Sequence, residues 1–397
     1  MLTAECYGST ASLVILRTMP SLYARWMHNW ETRLTQVDNN RIVRPMEWGI
    51  DWSRAWPCRN GSLPAQTAAE CETYLRDYNA RAVASSDEFF SYKTPTDFRL
   101  EKREVQVFST RAVPDPKLEA KVKGSYGEFL RFTSPVRTPY PENNLVNARW
   151  FPARGKSAIV LLPQWNSDAL SHNALCPTLN RLGISVLRLS MPYHDIRRPA
   201  EIQRADYAVS ANIGRTLDAA RQGVVDIRCC LDWLEQQGYT KLGILGTSLG
   251  SCYAFIAAAH DARIEVAAFN HASTYFADVV WHGQSTRHVR EGLEPEITLE
   301  RLRGLFTAIS PMSYFKQFAR FKRKVLVVYA TYDLTFLPEF SRQVVEQFEA
   351  HGIDHKAIVM PCGHYSLGET PYKYMDAYYL ASFLGKAFKN IHRRGER

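Results

Sequence analysis

The chain has 397 residues, 46% of them hydrophobic and 22% charged, so it can bury a large core without disulfides and is too apolar to stay disordered. Its 49 Lys and Arg against 40 Asp and Glu leave a formal charge of +9, a surplus that could draw anionic substrates or phospholipid headgroups to the surface. No nucleic-acid-binding module accompanies that charge, so nucleic acid is excluded as the expected partner.

The first residues carry a short apolar stretch, Ala11-Ser12-Leu13-Val14-Ile15-Leu16, ended by Arg17 and preceded by Glu5 where a signal peptide would have positive charge. Nothing approaches the roughly 20 apolar residues that a membrane-spanning helix requires. The cysteines (Cys6, Cys58, Cys71, Cys176, Cys229, Cys230, Cys252 and Cys362) form no C-x-x-C pair and no zinc spacing with the histidines. They read as reduced, mostly buried thiols of a cytoplasmic protein, in which the glycosylation-like Asn60-Gly61-Ser62 carries no weight. The basic groups Arg197, Arg198 and Arg204, Arg320 to Lys324, and Arg393 to Arg397 read as solvated surface charge and a frayed tail.

Residues 1–125 are rich in Trp, Arg, Asn and Pro, with patchy helical periodicity. Trp26, Trp30, Trp48, Trp52 and Trp56 suggest an N-terminal extension that packs its aromatics on the rest of the chain, with a helix near Cys71 to Val83 and no catalytic spacing. From 126 to 397 the texture changes. Phe129 to Thr133 and Leu145 to Phe151 alternate as strands, and then short aliphatic runs follow one another: Ala158 to Leu162, Ile184 to Leu187, Leu242 to Leu245, Val266 to Phe269, Val325 to Val328 and Ala357 to Met360. Continuous runs of this kind are expected of strands buried on both faces of a parallel sheet. Leu217, Ala220, Val224, Ile227, Leu231 and Leu234 form one helical stripe between two of them; Phe340, Val344 and Phe348 form another, and Leu380 to Phe388 a third. The pattern predicts an α/β domain with a mostly parallel, doubly wound sheet. The helix-prone stretch at about 274–322 interrupts the alternation and reads as a cap insertion.

Chemistry enters at Gly246-Thr247-Ser248-Leu249-Gly250, a G-x-S-x-G pentapeptide set between a predicted strand and a predicted helix. That is the setting of a nucleophile elbow, in which glycines allow a tight turn and the serine hydroxyl stands at a helix N-terminus. A serine hydroxyl needs a base, and the base needs an orienting acid, in the chain order Ser, Asp or Glu, His. Asp333 follows the Val325 strand and His364 the Ala357 strand, so both leave the same sheet edge as Ser248; Glu339 lies close enough in sequence to replace Asp333. For the oxyanion, one donor is the N–H of Leu249. The other belongs to Pro163-Gln164-Trp165-Asn166, where Pro163 has no N–H, which leaves Trp165 first and Gln164 second. Tyr193, His194, His271, Trp281, Tyr332 and Tyr365 are candidates for the substrate pocket.

From about Phe129 onward, these residues make the chain resemble the α/β-hydrolase superfamily, although its Pro163-Gln164-Trp165-Asn166 loop departs from the usual His-Gly form. Leu187 to His194 followed by Arg197-Arg198-Pro199, with Trp233 to Tyr239 leading into the elbow, resemble the abhydrolase-domain-18 type proteins; dienelactone-hydrolase and acetyl-esterase types are more distant. The resemblance implies hydrolysis of esters, thioesters or amides. The expected activity is cleavage of a small acyl ester through an acyl-enzyme, with no metal or cofactor. A thioesterase, an amidase or peptidase, an acyltransferase, and a non-catalytic module plugged by its N-terminal segment remain open.

Overall fold

A computed structural model describes residues 22–37, 39–57, 67–111 and 116–395. The signal-peptide reading of the N-terminus, Cys6, Cys58, the Asn60 acceptor and the basic side chains at the C-terminus lie outside those residues.

In chain order the elements are α1 (Leu22–Gln36), α2 (Ala68–Ala84), α3 (Ser86–Phe89), β1 (Arg99–Glu104), α4 (Pro116–Val122), β2 (Tyr126–Thr133), α5 (Pro141–Asn144), β3 (Leu145–Phe151) and β4 (Ser157–Leu162). Then follow α6 (Leu175–Arg181), β5 (Ile184–Leu189), α7 (Ile213–Gln236), β6 (Lys241–Thr247), α8 (Leu249–Ala259) and β7 (Ile264–Asn270). Four short helices, α9 (Phe276–His282), α10 (Arg287–Leu293), α11 (Leu299–Leu305) and α12 (Phe315–Phe318), occupy the insertion. The chain then returns through β8 (Lys324–Ala330), α13 (Pro338–Ala350), β9 (His355–Met360) and α14 (Tyr372–Gly395).

The strands form one nine-stranded sheet in the order β1-β2-β3-β5-β4-β6-β7-β8-β9. The pairings from β1 to β2, β3 and β5 are antiparallel, and all those from β5 onward are parallel. The aliphatic runs of β4 to β8 are continuous because each of these strands feeds two cores, whereas the run of the edge strand β9, expected to be buried on both faces, leaves Val359 51% exposed. In β4, Ala158, Val160 and Leu162 join α7, α8 and the insertion on one face, while Ile159 and Leu161 join α6 and α14 on the other. Val325 and Val327 against Leu326 and Val328 repeat the division in β8. This is the period of two of a strand, made invisible to a hydrophobicity pattern by burial on both sides.

The N-terminal segment builds into both layers. A reciprocal capping box between Thr67 and Glu70 starts α2, which buries Tyr74, Leu75, Tyr78 and Ala82 beside Trp56, Phe89 and Phe90 in the larger core. From α1, Met27 enters the smaller one. Not every aromatic follows: Trp26 stays 47% exposed. The expected surface charge also needs correction. Arg197 is fully buried and pairs with Asp226 at 2.8 Å; Arg204, near Asp206, and Arg323 are buried too. A run of charges in sequence carries no mark of the segments that will later cover it. No helix among the described residues is long and apolar enough to cross a membrane.

Candidate active site

β6 ends at Thr247 and α8 begins at Leu249, which leaves Ser248 alone on the turn at φ 56° and ψ −121°. A non-glycine residue at positive φ costs about 1–3 kcal/mol and persists only where its surroundings enforce it. Here they do: Ser248 N–H donates to the Asn270 carbonyl at 2.7 Å, and the flanking glycines have no room for a side chain. A Cβ on Gly246 would lie 2.3 Å from the Gly250 carbonyl oxygen, and one on Gly250 would lie 2.6 Å from the carbonyl oxygens of both Leu162 and Pro163. The second approach presses the loop after β4 against the elbow.

Four neighbouring parallel strands each deliver one residue at their C-terminal edge: Ser248 after β6, His271 after β7, Asp333 after β8 and His364 after β9. His364 Nε2 lies 3.1 Å from Ser248 Oγ, and His364 Nδ1 lies 2.9 Å from Asp333 Oδ2. With Nδ1–H donating to the carboxylate, Nε2 is left to accept the serine proton. Asp333 is itself fixed, because its Oδ1 accepts the N–H groups of Thr335 at 2.7 Å and Phe336 at 2.8 Å. Phe336 lies flat against the His364 ring, with centroids 5.5 Å apart.

Burial would raise the Asp333 pKa, but the imidazoles of His364 and then His271 hold its carboxyl well below the usual carboxylate range. For His364 burial works against protonation, and the Asp333 carboxylate outweighs it, so the imidazole takes a proton more readily than an ordinary histidine. His271 goes the other way. Burial and the adjacent His364 lower its pKa, so it stays neutral although its Nδ1 lies 2.7 Å from the same Asp333 Oδ2, off the axis of a hydrogen bond. Among the described residues, only His271, Asp333 and His364 bring three ligand atoms within 4.8 Å of one another. Of these, the His364 nitrogens are turned on Asp333 and Ser248, the arrangement of a proton relay.

The remaining sequence candidates divide. Glu339 is exposed and lies near Arg342, so Asp333 alone occupies the acid position. Leu249 opens α8, where the first backbone N–H groups lack intrahelical partners. The loop of Gln164 and Trp165 adjoins the elbow. Trp165 Nε1 donates to Ala205 O at 2.9 Å, its ring stacks on His288, and Gln164 reaches Ser171. Tyr193 and His194 are both buried. Tyr193 sits at φ 65° with its ring buried against Tyr140 and Tyr207, and buried His194 accepts the Asn166 N–H at 3.1 Å, so it braces the loop after β4. Trp281 packs at the edge of the larger core beneath Arg290. Tyr332 helps line a surface cleft of about 590 Å³ between α1 and the Asp333 loop, together with Arg25, His28 and Leu337. Tyr365 follows His364, with its ring 5.8 Å away and its hydroxyl accepting from Arg41. Sequence reasoning missed Glu31, whose carboxyl accepts the N–H groups of Tyr365 and Ser366. No local pattern could have found it, since its partners lie over 330 positions away.

Residues 155–309 match the model of a family described as alpha/beta hydrolase domain containing 18. Acetyl xylan esterase 1 from Thermoanaerobacterium sp. JW/SL YS485 is similar at TM-score 0.52 and 15% identity, over 78% of this chain and 93% of that one. The Pyrococcus horikoshii acylaminoacyl peptidase is similar at TM-score 0.51 and 13% identity, over 70% of this chain and 44% of that one, so the chain spans under half of the peptidase. An acetyl xylan esterase from Paenibacillus sp. R4 gives TM-score 0.50 at 12% identity, over 88% and 98%. No curated protein matches the sequence. At these identities the likeness establishes the fold.

Proposed function

From the premise that the chain has the α/β-hydrolase fold, we propose that it is a serine hydrolase that cleaves carboxylic esters through an acyl-enzyme. The observation that carries this reading is the unbroken hydrogen-bond chain from Ser248 Oγ through His364 to Asp333. In the first half-reaction Ser248 Oγ bonds to the acyl carbon while His364 Nε2 takes its proton. The carbonyl oxygen becomes an oxyanion facing the N–H of Leu249 and that of Trp165 or Gln164. Collapse of the intermediate expels the alcohol, which leaves with the proton from His364. In the second half a water gives its proton to His364 and attacks the acyl-enzyme, releasing the acid and restoring Ser248. Asp333 stays ionised throughout and stabilises the imidazolium.

Because the same relay serves thioesters and amides, and because one structural neighbour is a peptidase, the ester assignment is the finer part of the proposal. A serine-directed fluorophosphonate should label the wild type, and Ser248→Ala should abolish the label. A chain-length series of nitrophenyl esters, beside matched thioesters and anilides, then fixes the preferred bond. Absence of labelling from a folded wild type would leave only the reading of a hydrolase-like interaction module.

A further inference from the structure

α1 brings a carboxyl group to the back of the histidine loop. Glu31 has no exposed surface, and its two oxygens accept the N–H groups of Tyr365 at 3.0 Å and Ser366 at 2.6 Å, the residues directly after His364. The turn is shaped around that side chain. A Cβ on Gly363, the residue before His364, would lie 2.2 Å from Glu31 Cδ. Ser366 Oγ accepts the Gly363 N–H at 2.8 Å and reaches Met27 Sδ, one helical turn before Glu31, at 3.4 Å. The Tyr23 hydroxyl donates to the Pro361 carbonyl. Both sides of His364 are thus tied to one helix of the N-terminal extension.

A carboxyl group is an expensive choice for a buried clamp, because it must be stripped of water and given donors. An apolar contact would close the same space, so the chemistry of the group calls for an explanation. His364 supplies one. The ionisable groups around it are Asp333 and His271 from the sheet edge, Cys362 and Tyr365 from its own loop and Glu31 from α1, while Arg41 donates to the Tyr365 hydroxyl at 3.3 Å. Glu31 adds to Asp333 in favouring the protonated imidazole.

We infer that Glu31 is a positioning residue of the proposed hydrolysis: it fixes the loop that aims His364 Nε2 at Ser248 Oγ and sets a second carboxylate near the imidazolium as it forms. The inference rests on the serine-hydrolase reading. It also gives the N-terminal segment a part in the chemistry, although that segment contributes no atom to the reacting groups.

The test compares full-length wild type with Glu31→Gln, Glu31→Asp and Glu31→Ala, in ester turnover per phosphonate-titrated site and in melting temperature. Misaiming a catalytic group by about 1 Å costs on the order of 100-fold. Glu31→Ala should therefore lose kcat on that scale with KM unchanged. Glu31→Gln keeps the volume and one acceptor but turns its amide N–H toward the second donor; it should stay folded, lose less kcat than Glu31→Ala and shift the acid limb of its pH profile downward. Glu31→Asp should recover part of kcat. If Glu31→Gln turns over at the wild-type rate per titrated site with an unmoved acid limb, the side chain is only a fold clamp and the inference is overturned, even if Glu31→Ala does not fold. A wild type that neither labels nor turns over overturns the hydrolase reading itself, a result distinct from that one.

Discussion

In the proposed hydrolysis His364 accepts a proton from Ser248 and then gives it up to a leaving group, and its surroundings bias the exchange. Asp333 raises its proton affinity against the effect of burial, so the folded imidazole titrates above its ordinary value of about 6.5. Protonated His364 cannot act as a base. Hydrolysis should therefore fall as pH drops through a midpoint above about 6.5. Replacing the carboxylate by Asp333→Asn should move that midpoint down and, by losing the tautomer, cut kcat by about 10⁴-fold. A kcat/KM profile of both proteins checks this; a wild-type midpoint below that of free histidine would contradict it. At this scale the motif and the chain order made Ser248, Asp333 and His364 legible. The burial of Tyr193 and His194 was not legible, because a position after a strand does not tell which way the chain turns. The positive φ at Tyr193 sends its ring into the core, and only the folded loop reveals that.

Among elements, the elbow is the most tightly specified. Gly250→Ala would drive a methyl group into the carbonyl oxygens of Leu162 and Pro163. Overpacking of this kind costs about 1–3 kcal/mol and would push the loop after β4 off the elbow, so the melting temperature should fall and phosphonate labelling should slow together. α7 offers a test of a different kind. Asp218 is buried in it, and burial pushes its carboxyl up to about 7. The unfolded chain releases that proton near 3.9, so the folded state holds one more proton across the interval up to about 7. Stability from this group is thus complete below the unfolded value and lost as pH rises through the folded one. Asp218→Asn should gain in melting temperature over wild type, and the gain should widen from about pH 5 to about pH 8. The aliphatic runs made the parallel strands legible. β1 was not legible: Arg-Leu-Glu-Lys-Arg-Glu pairs only with β2 at the sheet edge and buries neither face fully, so it carries no hydrophobic signal.

Taken whole, the molecule does not wear its N-terminal segment as a detachable plug. Trp56, Leu75, Tyr78, Phe89 and Phe90 share one core with α7 and α8. A chain starting at residue 126 should bare that core, lose cooperative melting and aggregate; a soluble truncated chain with wild-type turnover would show the segment to be an accessory. The sequence announced an aromatic segment in search of a partner. It could not announce that α1 would settle on the loop after the last strand, because contacts between distant parts of a chain leave no periodic trace.

That contact also sets an order of events. Glu31 meets Tyr365 across 334 positions, so a chain emerging from the ribosome presents the acceptor long before its amides exist. The sheet can gather from β2 onward as it is made, whereas the histidine turn finds its anchor only after β9 has been made. Competence for the proposed hydrolysis then waits on β9, and a chain cut off before that strand, however well its earlier strands have assembled, should be born inert.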